Sequence, residues 1–263
     1  MHREEFERFV KIIESDQTNA DVLEKLEPYR VKRAILLAAG LGSRLNPITI
    51  NTPKPLVRIN GVRIIETLLN AFLDVGIDEI YIVRGYLAEE FEILLHKYPM
   101  IKFIDNLEYD KTNNISSAIA ACHLFENAYV SEADLFIANP KIIRKYHYSS
   151  DVLGIWKENS DDWCLTPDNQ GYVAEETITG KNCYQMVGIY YWNAEDAKRL
   201  QKDLKHAYTQ IEGGRERYWE TIPNQLHQGQ YKIQILPCNQ TDVIEIDTFE
   251  ELKLIDNSYQ KEG

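Results

Sequence analysis

Cysteine is scarce and scattered in this chain: four among 263 residues, at 122, 164, 183 and 238, with no CxxC pair. That spacing excludes a zinc cluster or a dithiol redox motif and predicts reduced, partly buried thiols. Long apolar runs are missing too. No stretch approaches the roughly 20 residues that cross a bilayer, and the opening MHREEFERF is charged where a signal peptide would be hydrophobic. No stable membrane insertion is therefore expected, and the cytoplasm is the expected compartment. Basic residues are in deficit, 29 Lys plus Arg against 41 Asp plus Glu, for a net charge of −12. This balance argues against a nucleic-acid surface but leaves room for a local basic pocket that holds phosphates. His96, His123, His147, His206 and His227 show no ligand spacing and are expected to be packed or solvated. Repeats and low-complexity linkers are absent.

What remains is the pattern of an ordinary globular chain. HREEFERFVKIIES sets Phe6, Phe9, Val10 and Ile13 at helical spacing, and a second short helix is expected over Asp21 to Leu26. These form a helical extension over residues 1–30. From there strand and helix alternate: AILLAA, a helix over Arg63 to Val75, EIYIVRG, a helix over Ala88 to His96, IKFID, a helix near Ser116 to Phe125, and NAYVSEAD. Such alternation implies right-handed βαβ units on a mostly parallel sheet with helices on both faces, and ligands at the carboxyl ends of the strands. The second half is less regular. Strands are predicted at DVLGIW, CYQMVGIYYW, YKIQILP and DVIEI and across Tyr172 to Thr179, with helices over Ala194 to His206, Arg215 to His227 and Phe249 to Tyr259. One domain with a smaller substrate-binding subregion is the expected organisation, with no oligomeric state implied.

The sharpest signal is AILLAAGLGSRLNPITINTPKPLV. A strand leads into Gly40 and Gly42, whose missing side chains allow tight turns and close approach, so that amides from Ala39 to Ser43 can surround a triphosphate. Arg44 is placed to neutralise phosphates, and Lys54 to reach the α-phosphate or pyrophosphate. The loop lacks the GxxxxGK[ST] order of a P-loop and the third glycine of GxGxxG. At these residues the chain resembles the sugar-nucleotide type of nucleotidyltransferase, whose pattern LAAGxGxRLxPxTxxxPKxL is matched by Leu37 through Leu45, Pro47, Thr49, Pro53, Lys54 and Leu56. The resemblance implies a Rossmann-like three-layer α/β fold over residues 31–259. It also implies attack by a phosphorylated acceptor on a nucleoside triphosphate, with Leu37, Ala38, Ala39, Gly40, Gly42, Ser43 and Arg44 binding nucleotide and Arg44 and Lys54 acting in catalysis.

Transfer at an α-phosphate needs charge neutralisation, normally by Mg²⁺ on hard oxygen ligands. EAD at 132–134 and EID at 245–247 each close a strand, and alternation puts Glu132 with Asp134, and Glu245 with Asp247, on one face. By resemblance Asp134 and Asp247 hold the metal, with Glu245 sharing or orienting it. Asp247 before TFEEL equally suits a helix cap. Base and ribose contacts are expected from Gly85 and Tyr86, after Arg84 at another strand end, and from Asn114 and Ser116 in TNNISSA, although Asn and Ser are also ordinary helix starters.

Aromatics cluster in the second half: Trp163 after Asp161 and Asp162, Tyr190 to Trp192, and Tyr218 with Trp219 beside Glu216 and Glu220. Rings with carboxylates nearby suit a quaternary ammonium, although a strand end such as GIYYW must bury one face in any case. Here, together with VRGYLAEEF, NNISSA, YVSEAD and VIEIDTFEELKLID, the chain is similar to the bacterial choline-phosphate cytidylyltransferases. That resemblance implies CTP and phosphocholine as substrates, CDP-choline and pyrophosphate as products, and Asp161, Asp162, Trp163, Trp192, Tyr218 and Trp219 on the acceptor. Transfer to a sugar 1-phosphate, phosphoethanolamine or 2-aminoethylphosphonate stays open as an alternative, as, more remotely, does a non-catalytic nucleotide binder.

Overall fold

Residues 1–260 are described by a computed structural model. Its strands are β1 (Arg33–Ala38), β2 (Arg58–Ile59), β3 (Val62–Arg63), β4 (Ile80–Arg84), β5 (Lys102–Asp105), β6 (Ala128–Glu132), β7 (Leu135–Ile137), β8 (Asp151–Pro167), β9 (Val173–Trp192), β10 (Gln234–Cys238) and β11 (Val243–Glu245). The α-helices are α1 (Arg3–Ser15), α2 (Ala20–Leu26), α3 (Ile64–Asp74), α4 (Ile115–Ala121), α5 (Ala194–Gln210) and α6 (Phe249–Ile255).

Ala34, Ile35, Leu36 and Ala38 of β1 are all buried, as a central strand covered on both faces requires. It lies inside a seven-stranded sheet of order β10-β8-β9-β6-β1-β4-β5. β6, β1, β4 and β5 run parallel; β9 is antiparallel to β6 and β8, and β10 is parallel to β8. Only β9 is reversed, so the sheet is mostly parallel, as expected. One apolar layer joins a sheet face to α3, with Leu68, Leu69 and Phe72, and the other joins the opposite face to α4 and α5, with Ile115, Leu200 and Leu204. The result is a Rossmann-like three-layer α/β fold.

The second half departs from the expected elements. DVLGIW and CYQMVGIYYW are the inner ends of one long hairpin, β8–β9, and the strand expected from Tyr172 is the outer start of that same β9. No single helix spans Arg215 to His227. Gly213 takes a positive φ of 67°, a 3₁₀ turn covers Gly214–Glu216, and a π-helical turn follows at Ile222–Leu226 with Pro223 in its first turn. Ala88–His96 is 3₁₀ rather than α, and the last α-helix stops at Ile255 before a 3₁₀ turn at Asn257–Gln260.

α1 and α2 form at the expected places. Phe6, Phe9 and Ile13 share a face and meet Val22 and Leu26, and this cluster closes on Tyr146 of the main body. Asn19 caps α2 by accepting from the Val22 amide. Among the histidines, His147 is packed inside the fold, with Nδ1 2.6 Å from Asp151 and Nε2 2.7 Å from the Tyr129 hydroxyl.

Candidate active site

The loop after β1 is held by its own residues before any ligand is considered. Gly42 has φ 61°, and a Cβ there would sit 2.9 Å from the Cβ of Lys54, so glycine is needed for both conformation and space. Its carbonyl accepts from the Thr49 hydroxyl at 2.9 Å. Around Gly40, by contrast, the space is open. Leu37, Ala38, Ala39, Gly40, Gly42, Ser43, Arg44 and Lys54 line one side of a cavity of about 520 Å³, at the carboxyl ends of β1 and β6. The opposite wall is built by Asn106, Tyr109, Asn114 and Ser116.

Two expected nucleotide contacts serve this wall indirectly. Tyr86 lies outside the cavity lining; its hydroxyl donates to the carbonyls of Thr49 (3.0 Å) and Ile50 (3.1 Å) and braces the loop. Gly85 is also off the wall, and a Cβ on it would lie 2.6 Å from the ring of Tyr109, so its bareness lets that ring reach the cavity. Arg84 turns away to Asp105. Asn106, Tyr109 and Thr112 escaped the sequence reading because they follow a short strand in a loop without a motif. Asn106 is buried, and its amide donates to the hydroxyls of Ser116 (2.8 Å) and Ser117 (3.0 Å), fixing the start of α4.

Lys54 is the pivot. Its ammonium is buried between Asp134 (2.7 Å) and Asp247 (2.9 Å), and Arg44 grips both oxygens of Asp247 at 2.9 Å. Burial alone would pull the Lys54 pKa down; the two aspartates outweigh it and hold the ammonium well above its ordinary value. Asp247 is free for this because the cap of α6 is Thr248, which forms a capping box with Glu251. Glu132 and Glu245 lie on the wall of a second cavity. Burial, then the charge of Asp134, pushes Glu132 well above the usual carboxylate range; burial, then Asp247, pushes Glu245 up to about 7.

Among the described residues no set of three or more acidic, His or Cys side chains converges as a metal cage, so Asp134, Asp247 and Glu245 do not form one. The donor chemistry nonetheless fits a hard divalent cation: Asp134 and Asp247 are carboxylates that flank the Lys54 ammonium, and Mg²⁺ typically takes one or two carboxylates plus substrate phosphates.

The second cavity, of about 400 Å³, shares Arg44, Glu132, Asp134, Tyr218 and Asp247 with the first. Trp163 and Tyr218 line it, edge to face with centroids 5.7 Å apart, and Asp162 joins them. The other expected acceptor residues do not. Trp192 is fully buried, stacked on Tyr190 at 5.8 Å and edge-on to Trp219, which is itself 1% exposed; both are core side chains because the strand end and the turn behind it face α5. Asp161 is exposed and off the wall. In their place stand Glu176 and Glu220, each buried, each pushed up to about 7, chiefly by burial. Glu176 Oε2 and Oδ1 of the neighbouring Asn224 have no partner.

With this geometry in view, a nucleotidyl transferase family model matches residues 33–161. The 2-aminoethylphosphonate cytidylyltransferase of Lancefieldella rimae is 36% identical over 229 residues, covering 86% of this chain and 92% of that protein. The choline-phosphate cytidylyltransferase of Haemophilus influenzae is 32% identical, covering 83% of this chain and 93% of that protein. The solved structure of CTP:phosphocholine cytidylyltransferase from Streptococcus pneumoniae superimposes with a TM-score of 0.78 at 28% identity, covering 87% of this chain and 99% of that one. The chain belongs to the nucleotidyl transferase family. Within it the chain stands with the cytidylyltransferases, close both to those for choline phosphate and to those for aminoethylphosphonate.

Proposed function

We propose that the chain transfers CMP from CTP to a small acceptor with a phosphonate or phosphate at one end and a primary ammonium at the other, 2-aminoethylphosphonate above all. The observation that carries this reading is the acidic lining of the second cavity: seven carboxyl groups, Glu132, Asp134, Asp162, Glu176, Glu220, Glu245 and Asp247, against one arginine, Arg44, with the glutamates held up by burial and ready to ionise against an entering cation. Such a wall attracts a cation and disfavours a sugar 1-phosphate, which brings negative charge and no positive end. A primary ammonium donates three hydrogen bonds and a trimethylammonium none. Buried acceptors at Glu176 and Glu220, with only Trp163 and Tyr218 left to form an aromatic cage, favour the primary amine over the phosphocholine first expected. The 36% identity to an aminoethylphosphonate enzyme supports the same choice.

The first cavity takes CTP, with loop amides and Arg44 on the triphosphate. An acceptor oxygen attacks the α-phosphorus in line, and pyrophosphate leaves. That oxygen belongs to an anion near neutral pH, so no side-chain base is needed, and catalysis rests on positioning and charge. Lys54, kept charged by its two aspartates, neutralises charge that develops on the transferring phosphate. Asp134 and Asp247 would hold Mg²⁺, with Glu245 orienting from behind; bound there, the ion supplies further neutralisation of the triphosphate.

The test is a pyrophosphate-release matrix of four nucleoside triphosphates against 2-aminoethylphosphonate, phosphoethanolamine, phosphocholine and glucose 1-phosphate. CTP with 2-aminoethylphosphonate is expected to give the highest kcat/KM. A higher value for phosphocholine would overturn the primary-amine choice, and a productive sugar phosphate would overturn the cation reading.

A further inference from the structure

The two cavities are tied together by one side chain. Asn114 lies at the start of α4 on the wall of the first cavity, where the sequence placed it as a nucleotide contact. Its polar atoms are engaged elsewhere. Oδ1 accepts from the backbone amide of Trp219 at 2.8 Å, and Nδ2 spans both carboxylate oxygens of Glu220 at 3.2 and 3.4 Å. Its neighbour Asn113 extends the clasp: its backbone amide donates to the Arg215 carbonyl at 2.9 Å, and its side-chain amide to the Glu216 carbonyl at 3.1 Å. Residues 215–220 form no continuous helix; within the segment the Glu220 carboxylate has its own backbone amide, and Asn114, at the start of α4, reaches it from outside.

We infer that Asn114 is a positioning residue for the acceptor: it aims the Glu220 carboxylate into the acid-lined cavity and joins that aim to the nucleotide wall. The inference rests on reading that cavity as the acceptor site, but not on which cationic acceptor fills it. An asparagine suits the task because one side of its amide accepts from a peptide N–H while the other donates to an anion. Alanine offers neither, and aspartate would set a second carboxylate against Glu220.

Steady-state kinetics on Asn114→Ala test this, run with both 2-aminoethylphosphonate and phosphocholine. Loss of a hydrogen bond to a charged group predicts an acceptor KM raised about 10- to 100-fold, with the CTP KM changed less than about twofold. A merely structural role would move both constants together. Asn114→Asp is expected to be worse than Asn114→Ala, yet in the Glu220→Gln background it should add nothing, because the glutamine amide then donates to the new carboxylate. A CTP KM that rises as much as the acceptor KM, or an Asn114→Asp effect that persists undiminished beside Glu220→Gln, would overturn the inference. If only phosphocholine is turned over, the acceptor proposed above fails while the clasp is judged unchanged on phosphocholine.

Discussion

The two cavities meet at Lys54 and its aspartates, yet they are made of different material. On the nucleotide side the wall is largely backbone and small side chains, a glycine loop at the end of a buried strand, braced from behind by Tyr86 and Thr49. On the acceptor side the wall is side chain, seven carboxyl groups and two rings: Asp162, Trp163 and Glu176 come from the β8–β9 hairpin, Tyr218 and Glu220 from the irregular turn after α5, and Glu132, Asp134, Glu245 and Asp247 from the ends of β6 and β11. Backbone amides recognise any polyphosphate, so on the proposed reading the first wall would set the reaction. Buried carboxylates recognise a cation of particular size and hydrogen-bonding capacity, so the second would set the partner.

The hardest test of this division is Lys54→Ala. Removing the ammonium that the two shared aspartates hold on the wall of the first cavity should lower kcat by about 10²- to 10³-fold with near-native circular dichroism. A kcat loss below tenfold would mean that the charge of the transfer is neutralised elsewhere.

Next come Glu176→Gln and Glu220→Gln. Each is expected to raise the acceptor KM about tenfold with little change for CTP, as loss of a charge-assisted contact predicts. The same pair gives a pH signature. Below about 7 these carboxyls hold protons, and above it they are anions facing an ammonium that stays charged throughout. Inhibition by ethanolamine, which has no phosphonate to titrate, should therefore strengthen as pH rises from about 6 to 8 and keep only the smaller slope due to Glu245 in the double glutamine variant. A flat profile in the unsubstituted protein would separate these acids from the ammonium.

Gly85→Ala sharpens the other side. Its new Cβ must displace the Tyr109 ring, so the CTP KM should rise by a modest factor, with a stability loss of about 1–3 kcal/mol by thermal unfolding. The smallest kinetic effect is expected from Phe9→Ala in α1, which opens the cluster with Tyr146 and lowers stability by about 3 kcal/mol while leaving both KM values in place.

The nucleotide half was legible in the sequence because its determinants are local. The strand, Gly42, Arg44, Lys54 and the acids that end β6 and β11 sit in contiguous segments whose geometry follows from a turn and an alternation. Asp247 itself was open between cap and ligand; the neighbouring Thr248 takes the cap and leaves Asp247 to pair with Lys54 and Arg44. The acceptor half was read less well, for a physical reason. Which ring of YYW faces a cavity depends on what packs against the strand, and α5 with its following turn draws Trp192 and Trp219 into the core. Glu176 gave no signal, since its hydrogen-bond partner Asn224, itself bonded to Tyr190, sits in a turn remote in sequence and reaches it only in the folded chain. Asn114 was found, but its bonds to residues 219 and 220 cross a separation that no local pattern encodes.

The hairpin of β8 and β9 has an evolutionary meaning as well. Its inner end, with Tyr190 and Trp192, is locked into the sheet, whereas Trp163, Glu176 and Met186 further out line the second cavity. On the proposed reading, substitutions along the outer stretch would exchange one cationic head group for another without disturbing the glycine loop or Lys54. Acceptor preference would then be a module that descendants can retune, and relatives with one catalytic core could diverge in the molecule they activate.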